Sequence, residues 1–555
     1  MFVRIKTSPN SPKKAVQIVE SLRDGNKIKQ RIVRHVGTAL NDAELKRMEE
    51  LAEHIKASME QGSQPGMFPA EEIAEIAIQA RNRQTEESLP VDLRKMREQQ
   101  RVIVGIHEVY GRVYQEIGFD KVFSNPKRKP AAVKNLFHVV MGRIANPISK
   151  MATVMDLSEN FGIELSLPSV YRMMDQIDEK VILKIQQQSY QTACDIFKHK
   201  INVVFYDCTT LYFESFTEDE LKENGYSKDM KFNQPQVLLA LLVTEHGLPI
   251  GYKVFPGSQY EGHTLEQAVK KIEDEYQIND IVFVADSAMF SDDNLKLLER
   301  LGKRYIVGAR LKNMSKKDQE KILDKSDYRM LSKPNDENEY SFKEMAIDDR
   351  RLIVSYNEKN ARKDAHDREK SIERLLAKLK KKGTNPTDLI SNFGYKKFLK
   401  LKGEATVEVN NEKIEREKLW DGLHGVITNH PGLTPEQIIE QYHGLWQVEH
   451  CFRVSKHDLR IRPVFHWTPQ RIKAHIAICF MALTCTRYLY YRIKTQHVAL
   501  SEQRIRQQLL SVQISILRHQ QSRIQYGIPS RISQDVKKIY HIMGLKASDV
   551  PFRIN

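Results

Sequence analysis

At 555 residues the chain is too long for one ordinary hydrophobic core, so it is expected to divide into about three or four folded units. Lys and Arg number 87 against 72 Asp and Glu, and the net charge of +15 favours a polyanionic partner, nucleic acid foremost. The five cysteines, Cys194, Cys208, Cys451, Cys479 and Cys485, contain no Cys-x-x-Cys pair, which excludes a zinc-ribbon or disulfide framework and reads as reduced, cytoplasmic thiols. Met1–Thr7 lacks the apolar stretch of a signal peptide, and the most apolar segment, Ala474–Cys485, is too short to span a bilayer, so no membrane is expected.

In chain order, residues 2–37 alternate apolar and polar in three runs (Val3–Lys6, Ala15–Ser21, Lys27–Val36), the pattern of a small antiparallel sheet. From Asn41 the pattern turns helical and charged, breaks at Gln61–Pro69, and stays largely helical to about Lys198. Within it, Met151–Gly162 and Leu165–Met174 have the outline of a helix-turn-helix, with Ser169, Tyr171 and Arg172 placed for base contact; ordinary helical packing gives the same outline. Ile201–Tyr206 is a short strand-like run ending at Asp207, and Cys208–Phe213 reads as a returning strand. Gln236–Val243 and Ile250–Phe255 predict a hairpin, Thr264 and Gln267 open a helix, and Ile281–Ala285 is a strand ending at Asp286. Asp292 and Asp293 read as helix-start residues after Ser291. Strands followed by helices predict a mixed α/β domain whose strand ends present Asp207 and Asp286 to a crevice.

From about Leu311 to Trp420 the sequence is charged and irregular, with strand-like runs at Arg351–Tyr356, Lys397–Leu401 and Ala405–Val409. A charged helix around Ala361–Lys382 fits either a solvated arm or a DNA-facing one. Apolar order returns at Leu423–Thr428. Next, Thr434-Pro435-Glu436-Gln437 supplies a capping box and an early proline for a helix that places Tyr442, Glu449 and Lys456 at seven-residue intervals. Seven residues drift only ~20° around a helix, so those three share one face, which suits work on a phosphate or is plain solvated surface. Arg453, Lys456, Arg460, Arg462, Arg471 and Lys473 follow against the single acid Asp458, a cluster suited to phosphate contact. Four histidines nearby, His450, His457, His466 and His475, have no metal-ligand spacing and read as surface or packing residues; Trp446 and Trp467 read as core anchors, with stacking on an unpaired base as the lesser alternative. An apolar helix extends to about Ile493, and the last sixty or so residues read as helical and basic.

Three carboxylates stand out: Asp207, Asp286 and Glu449. Phosphodiester cleavage by two Mg²⁺ ions ~4 Å apart requires about this set, and oxygen ligands without Cys or His favour Mg²⁺, or Mn²⁺, over zinc. With the long stretch before the glutamate and the Tyr442/Glu449/Lys456 spacing, they resemble the DDE transposases of bacterial insertion sequences, in the group with a Tyr-x2-Arg-x3-Glu-x6-Lys signature. Arg462–Thr468, Arg471–Ile476, Val284–Asp286 and Phe255–Gly257 resemble one long-chain branch of that group. The likeness covers about residues 201–490.

The resemblance implies an RNase H-like α/β core in two parts, residues 201–311 and 421–495, interrupted by a β-rich insertion at 312–420. A small N-terminal sheet (1–40) and a helical DNA-binding region (41–200) precede it, and a helical region (496–555) follows. It implies Asp207, Asp286 and Glu449 as catalytic metal ligands with two Mg²⁺ (or Mn²⁺) ions, and Tyr442 and Lys456 as DNA contacts; Arg453, Arg460 and Arg462 of the basic cluster and Arg172 of the helix-turn-helix outline are the further expected DNA contacts. Also implied are double-stranded DNA partners (terminal inverted repeats and target), a homodimer in the synaptic complex, and cut-and-paste strand transfer through hairpin ends. The signature arginine is Leu445 here; Arg453, ~40° round the helix from Glu449, can take its place, or Leu445 packs inward with no substitute. A metal-dependent nuclease that cuts without joining and a catalytically silent DNA-binding derivative are the alternatives.

Overall fold

The computed structural model describes residues 1–8, 11–24, 27–39, 42–60, 93–198, 201–214, 217–225, 234–260, 264–267, 269–270, 281–287, 291–331, 340–379, 398–402, 406–546 and 549–554. The expected break at Gln61–Pro69 and parts of the predicted helices at Thr264 and Ala361–Lys382 lie outside them. The chain divides into two units, Met1–Arg94 and Lys95–Asn555.

In the first unit, β1 (Phe2–Ser8), β2 (Ser11–Asp24) and β3 (Lys27–Ala39) form an antiparallel sheet, and α1 (Asp42–Glu60) packs on it. Val16, Ile18 and Ala52 are buried between them.

The second unit opens with β4 (Met96–Ile103), followed by five helices: α2 (Gly105–Ile117), α3 (Pro130–Ala145), α4 (Lys150–Phe161), α5 (Leu167–Met174) and α6 (Glu179–Ile196). Ser149, Ser166 and Asp178 cap α4, α5 and α6 through side-chain oxygens that accept early backbone N–H groups. Gly162, at φ +66°, closes α4 in the left-handed conformation that glycine tolerates, so α4, this turn and α5 have the helix-turn-helix outline.

Next come β5 (Val203–Tyr212), β6 (Gln236–Thr244), β7 (Pro249–Pro256), β8 (Val282–Ala285), α7 (Asp292–Arg300) and β9 (Arg304–Ala309). The region beyond contains α8 (Lys316–Leu323), β10 (Arg329–Leu331), β11 (Tyr340–Ile347), β12 (Arg350–Asn357), α9 (Glu358–Leu379), β13 (Leu399–Lys402), β14 (Thr406–Val409) and α10 (Asn411–Lys418). Strand β15 (Leu423–Thr428) then leads into α11 (Pro435–His443), α12 (Trp446–Arg453) and α13 (Pro469–Thr495). The chain closes with α14 (Glu502–Leu510), β16 (Gln513–His519), β17 (Gln525–Pro529), α15 (Gln534–Ile542) and β18 (Phe552–Ile554).

The central sheet has nine strands among the described residues, ordered β10-β11-β12-β15-β9-β8-β5-β6-β7. Strands β5, β8 and β9 run parallel at its centre, and the pairings outward on both sides are antiparallel. Successive side chains of a strand point to opposite faces. On one face, Val203, Phe205, Val282 and Val284 join the large core that includes α11, α12 and α13. On the other, Val204, Tyr206, Phe283 and Tyr305 pack with Leu295 and Leu298 of α7. Both faces are covered, which explains why β6 is buried along its whole length.

Several expectations are revised. Asp207 lies inside β5, because the run read as two strands is one continuous strand. Strands β10 to β12, read as part of a β-rich insertion, extend the central sheet through β15. Residues 41–200 and the C-terminal stretch are not wholly helical: β4 pairs with β16, which pairs with β17, and β17 with β18. Helix α13 is 27 residues long, so it does meet the length and hydropathy for a bilayer span, but 89% of its apolar window is buried inside the protein as a core helix.

Candidate active site

Strands β5 and β8 bring the two aspartates together. They pair in parallel as Val203↔Val282, Val204↔Phe283 and Phe205↔Val284, an offset of 79 residues (282 minus 203). The same offset separates Asp207, within β5, from Asp286, the residue just past the end of β8 (286 minus 207), so the register continued by two residues brings them alongside each other, where neighbouring strands lie ~4.8 Å apart. Each is two residues beyond a side chain of the large core, so both occupy the sheet face that α11 and α12 cover. Their carboxylates are held alike: Asp207 Oδ1 accepts from Cys208 N at 2.7 Å, and Asp286 Oδ1 from Ser287 N at 2.6 Å.

The glutamate arrives on α12. The predicted capping box is present: Thr434 Oγ1 accepts from Gln437 N (3.3 Å), and Gln437 Oε1 from Thr434 N (3.0 Å). The expected continuous helix is interrupted, however. Leu445 N bonds to Tyr442 O at 3.0 Å, a tightened i to i+3 turn, while Glu449 N to Leu445 O stretches to 3.5 Å. Gly444 sits at this break against β5, where a Cβ would overlap the Phe205 ring, so the break seats the helix pair on the strand that carries Asp207. Tyr442 therefore ends α11, Glu449 sits exposed on α12, and Lys456 lies in a π-helical turn, Val454–Asp458, where Leu459 N bonds to Val454 O (2.9 Å).

Tyr442 links the parts. Its hydroxyl lies over Gly308 of β9, so closely that a Cβ there would overlap it, and a Cβ there would also lie 3.1 Å from Ser287 N. Burial first, then the charges of Asp286 and Glu449, push the phenol up to about 12. The phenol thus feels both carboxylates, and at neutral pH it keeps its proton. A cleft of about 440 Å³ opens beside Asp286, with Ser287, Arg310, Trp420, His424 and Tyr442 in its walls. Among the described residues, no three His, Cys, Asp or Glu side chains are close enough to hold an ion together. Tyr442 lies within electrostatic reach of both Asp286 and Glu449.

A buried polar chain fixes α12. Arg487, 2% exposed in the middle of α13, donates to Gly247 O (2.8 Å), to Gln447 Oε1 (3.0 Å) and to Glu502 Oε1 (2.6 Å). Glu502 also meets His450 Nε2 at 2.8 Å, and Arg453 bonds to His450 Nδ1. Burial opposes ionisation of Glu502, yet the hydrogen bond from His450 and the charge of Arg487 hold its carboxyl down at about 2. Glu502 and Arg487 are not among the residues expected from sequence; the available signal is an arginine inside the most apolar helix.

The expected DNA contacts diverge. Leu445 is buried in the core, packed inward. Arg453, Arg460 and Arg172 are exposed. Lys456 Nζ lies 6.0 Å from the Phe452 ring centre, and the Arg462 guanidinium 5.4 Å from that of Tyr212. Arg471 and Lys473 are instead clamps, bonding to Asp175 (2.7 and 2.9 Å) and Glu179 (2.6 Å) and joining α13 to the helical region. Trp446 and Trp467, read as core anchors, are 48% and 70% exposed.

Residues 198–485, just over half the chain, match the transposase DDE domain family, and residues 3–66 match the N-terminal domain of IS1634 family transposases. The chain belongs to the DDE transposases. The matched segment contains Asp207, Asp286 and Glu449 of this transposase. No match was found among curated proteins. Among solved structures, the Mos1 transposase paired-end complex with left transposon end matches at 10% identity over 46% of this transposase and 74% of that chain, with a TM-score of 0.14.

Proposed function

We propose that this transposase mobilises an insertion sequence by binding its terminal inverted repeats, nicking the DNA, and joining the freed 3′ ends to a target. The observation that supports the reading is the parallel register of β5 and β8, whose continuation runs to Asp207 and Asp286, with Tyr442 within electrostatic reach of Asp286 and Glu449. The strand order β7-β6-β5-β8-β9, an antiparallel hairpin beside three parallel strands, supports an RNase H-like core. On this reading residues 1–40 and 41–200 precede the core as a small sheet and a DNA-binding region, and residues 312–420 separate its two parts. The protein works in the cytoplasm on double-stranded DNA, as two subunits that pair two ends.

Asp207, Asp286 and Glu449 would hold two divalent ions. The donor set is oxygen only, which fits Mg²⁺ or Mn²⁺. When bound, such ions supply Lewis acidity and an activated hydroxyl at the phosphorus. The chain's own residues do the rest. Tyr442, protonated up to about pH 12, donates a hydrogen bond to a phosphate oxygen and does not act as a base. Lys456, Arg460 and Arg462 neutralise flanking phosphates, and Arg453 takes the contact that Leu445 has lost. Arg172 on α5 reaches the repeat. Incubation of pre-cleaved ends with plasmid in Mg²⁺ tests the reading: joined products are expected, and cutting without joining would favour a nuclease instead.

A further inference from the structure

One of the two tryptophans expected in the core, Trp467, marks an exposed aromatic surface. Trp467 is the most exposed large apolar side chain among the described residues, and Phe465, two positions earlier, is 59% exposed. A short extended segment alternates between them: Val464 and His466 turn inward, Phe465 and Trp467 outward. The segment is held at several points. Val464 pairs in parallel with Phe213 and donates to Tyr212 O (3.2 Å), continuing from the strand that carries Asp207. His466 meets Tyr171 edge-on at 6.4 Å and lies 5.3 Å from His475, and Thr468 caps α13 by accepting from Arg471 N (3.4 Å). The outward rings are thus fixed between the helix-turn-helix outline and the Asp207 strand, with Arg460 and Arg462 just before them in the chain.

We propose that Phe465 and Trp467 form a ledge on which unpaired bases of the bound DNA stack, next to the strand that carries Asp207. Water gains nothing from two rigidly presented rings, whereas the π-face of any base stacks on them and the neighbouring guanidiniums draw the phosphates. The inference deepens the transposase reading and rests on it: strand opening near the cut would supply the unpaired bases.

The test measures binding of the full-length chain to a labelled duplex carrying a short single-stranded thymidine tail and to the same duplex blunt. Stacking tolerates any base, so no terminal repeat sequence is needed. The wild type should prefer the tailed duplex by roughly ten-fold, about one stacked base. Trp467→Ala and Phe465→Ala should erase that preference while leaving blunt-duplex affinity and its salt dependence unchanged, and Trp467→Phe should retain most of it. The tail should quench tryptophan emission in the wild type and in Trp446→Phe more than in Trp467→Phe. Equal wild-type affinity for both duplexes would overturn the ledge alone, as would alanine variants that weaken both equally. Dissociation of a DNA-free dimer by Trp467→Ala would give the ledge a protein partner and overturn the proposal as well. A wild type that binds neither duplex would overturn the transposase reading along with it.

Discussion

Replacing Glu502 with glutamine removes the one negative charge within a buried chain that includes Arg487 and His450 and leaves nearly all the volume in place. Two routes give the magnitude. The Glu502 carboxyl lies at about 2 in the folded protein against an ordinary 4.5, a difference worth roughly 3 kcal/mol at neutral pH. Stranding a buried charge by removing its partner costs ~3–5 kcal/mol, and Arg487 is 2% exposed. A loss of about 3 kcal/mol is therefore expected in urea unfolding at pH 7. Because the folded value is depressed, the contribution is whole above pH 4.5 and disappears as pH falls toward 2, so Glu502→Gln and wild type should converge in acid. The double variant Glu502→Leu with Arg487→Met should be more stable than Glu502→Gln, since it leaves no charge stranded. The reasoning fails if Glu502→Gln unfolds at the wild-type urea concentration, or if the double variant is the less stable.

Three further outcomes follow from the site. Gly308→Ala should push the Tyr442 ring off β9 and lower the single-turnover nicking rate at least as far as Tyr442→Phe does; an unchanged rate would remove Tyr442 from the site. Arg453→Ala should weaken end binding and reduce the slope of log affinity against log salt by about one, the signature of one lost phosphate contact; an unaltered slope would end its proposed replacement of the signature arginine. Arg471→Ala breaks a half-exposed clamp to Asp175 and should cost at most about 1 kcal/mol with no change in that slope, which a binding titration at several salt concentrations checks.

The local signals that proved legible were those written in neighbouring residues. Thr434 and Gln437 announced their capping box, Ser291 its cap, and Val282–Ala285 a strand leading to Asp286, because each depends on contacts a few residues apart. What stayed hidden depends on distant partners. Strand β4 is completed by β16, some four hundred residues later, and neither carries a strong apolar alternation of its own. Strand β5 looked like two because Cys208, Thr209 and Thr210 break the apolar run, yet it pairs without interruption with β6 and is buried along most of its length. The helix break at Gly444 follows from its approach to Phe205, which no spacing rule contains. Trp446 and Trp467 were misplaced because aromatic size alone suggests a core, whereas Trp467 follows an alternation set by the pairing of Val464. The three carboxylates stand out by their residue types and the family likeness; the offset of 79 acquired meaning only when it proved to be the strand register.

The central claim is that Asp207, Asp286 and Glu449 act as one site, and it is tested most directly by single-turnover nicking of a terminal-repeat duplex in Mg²⁺ with Asp207→Asn, Asp286→Asn and Glu449→Gln, each measured beside its end binding. The account predicts that all three variants bind the end as the wild type does and that none nicks it. Wild-type nicking by any one of them would contradict it.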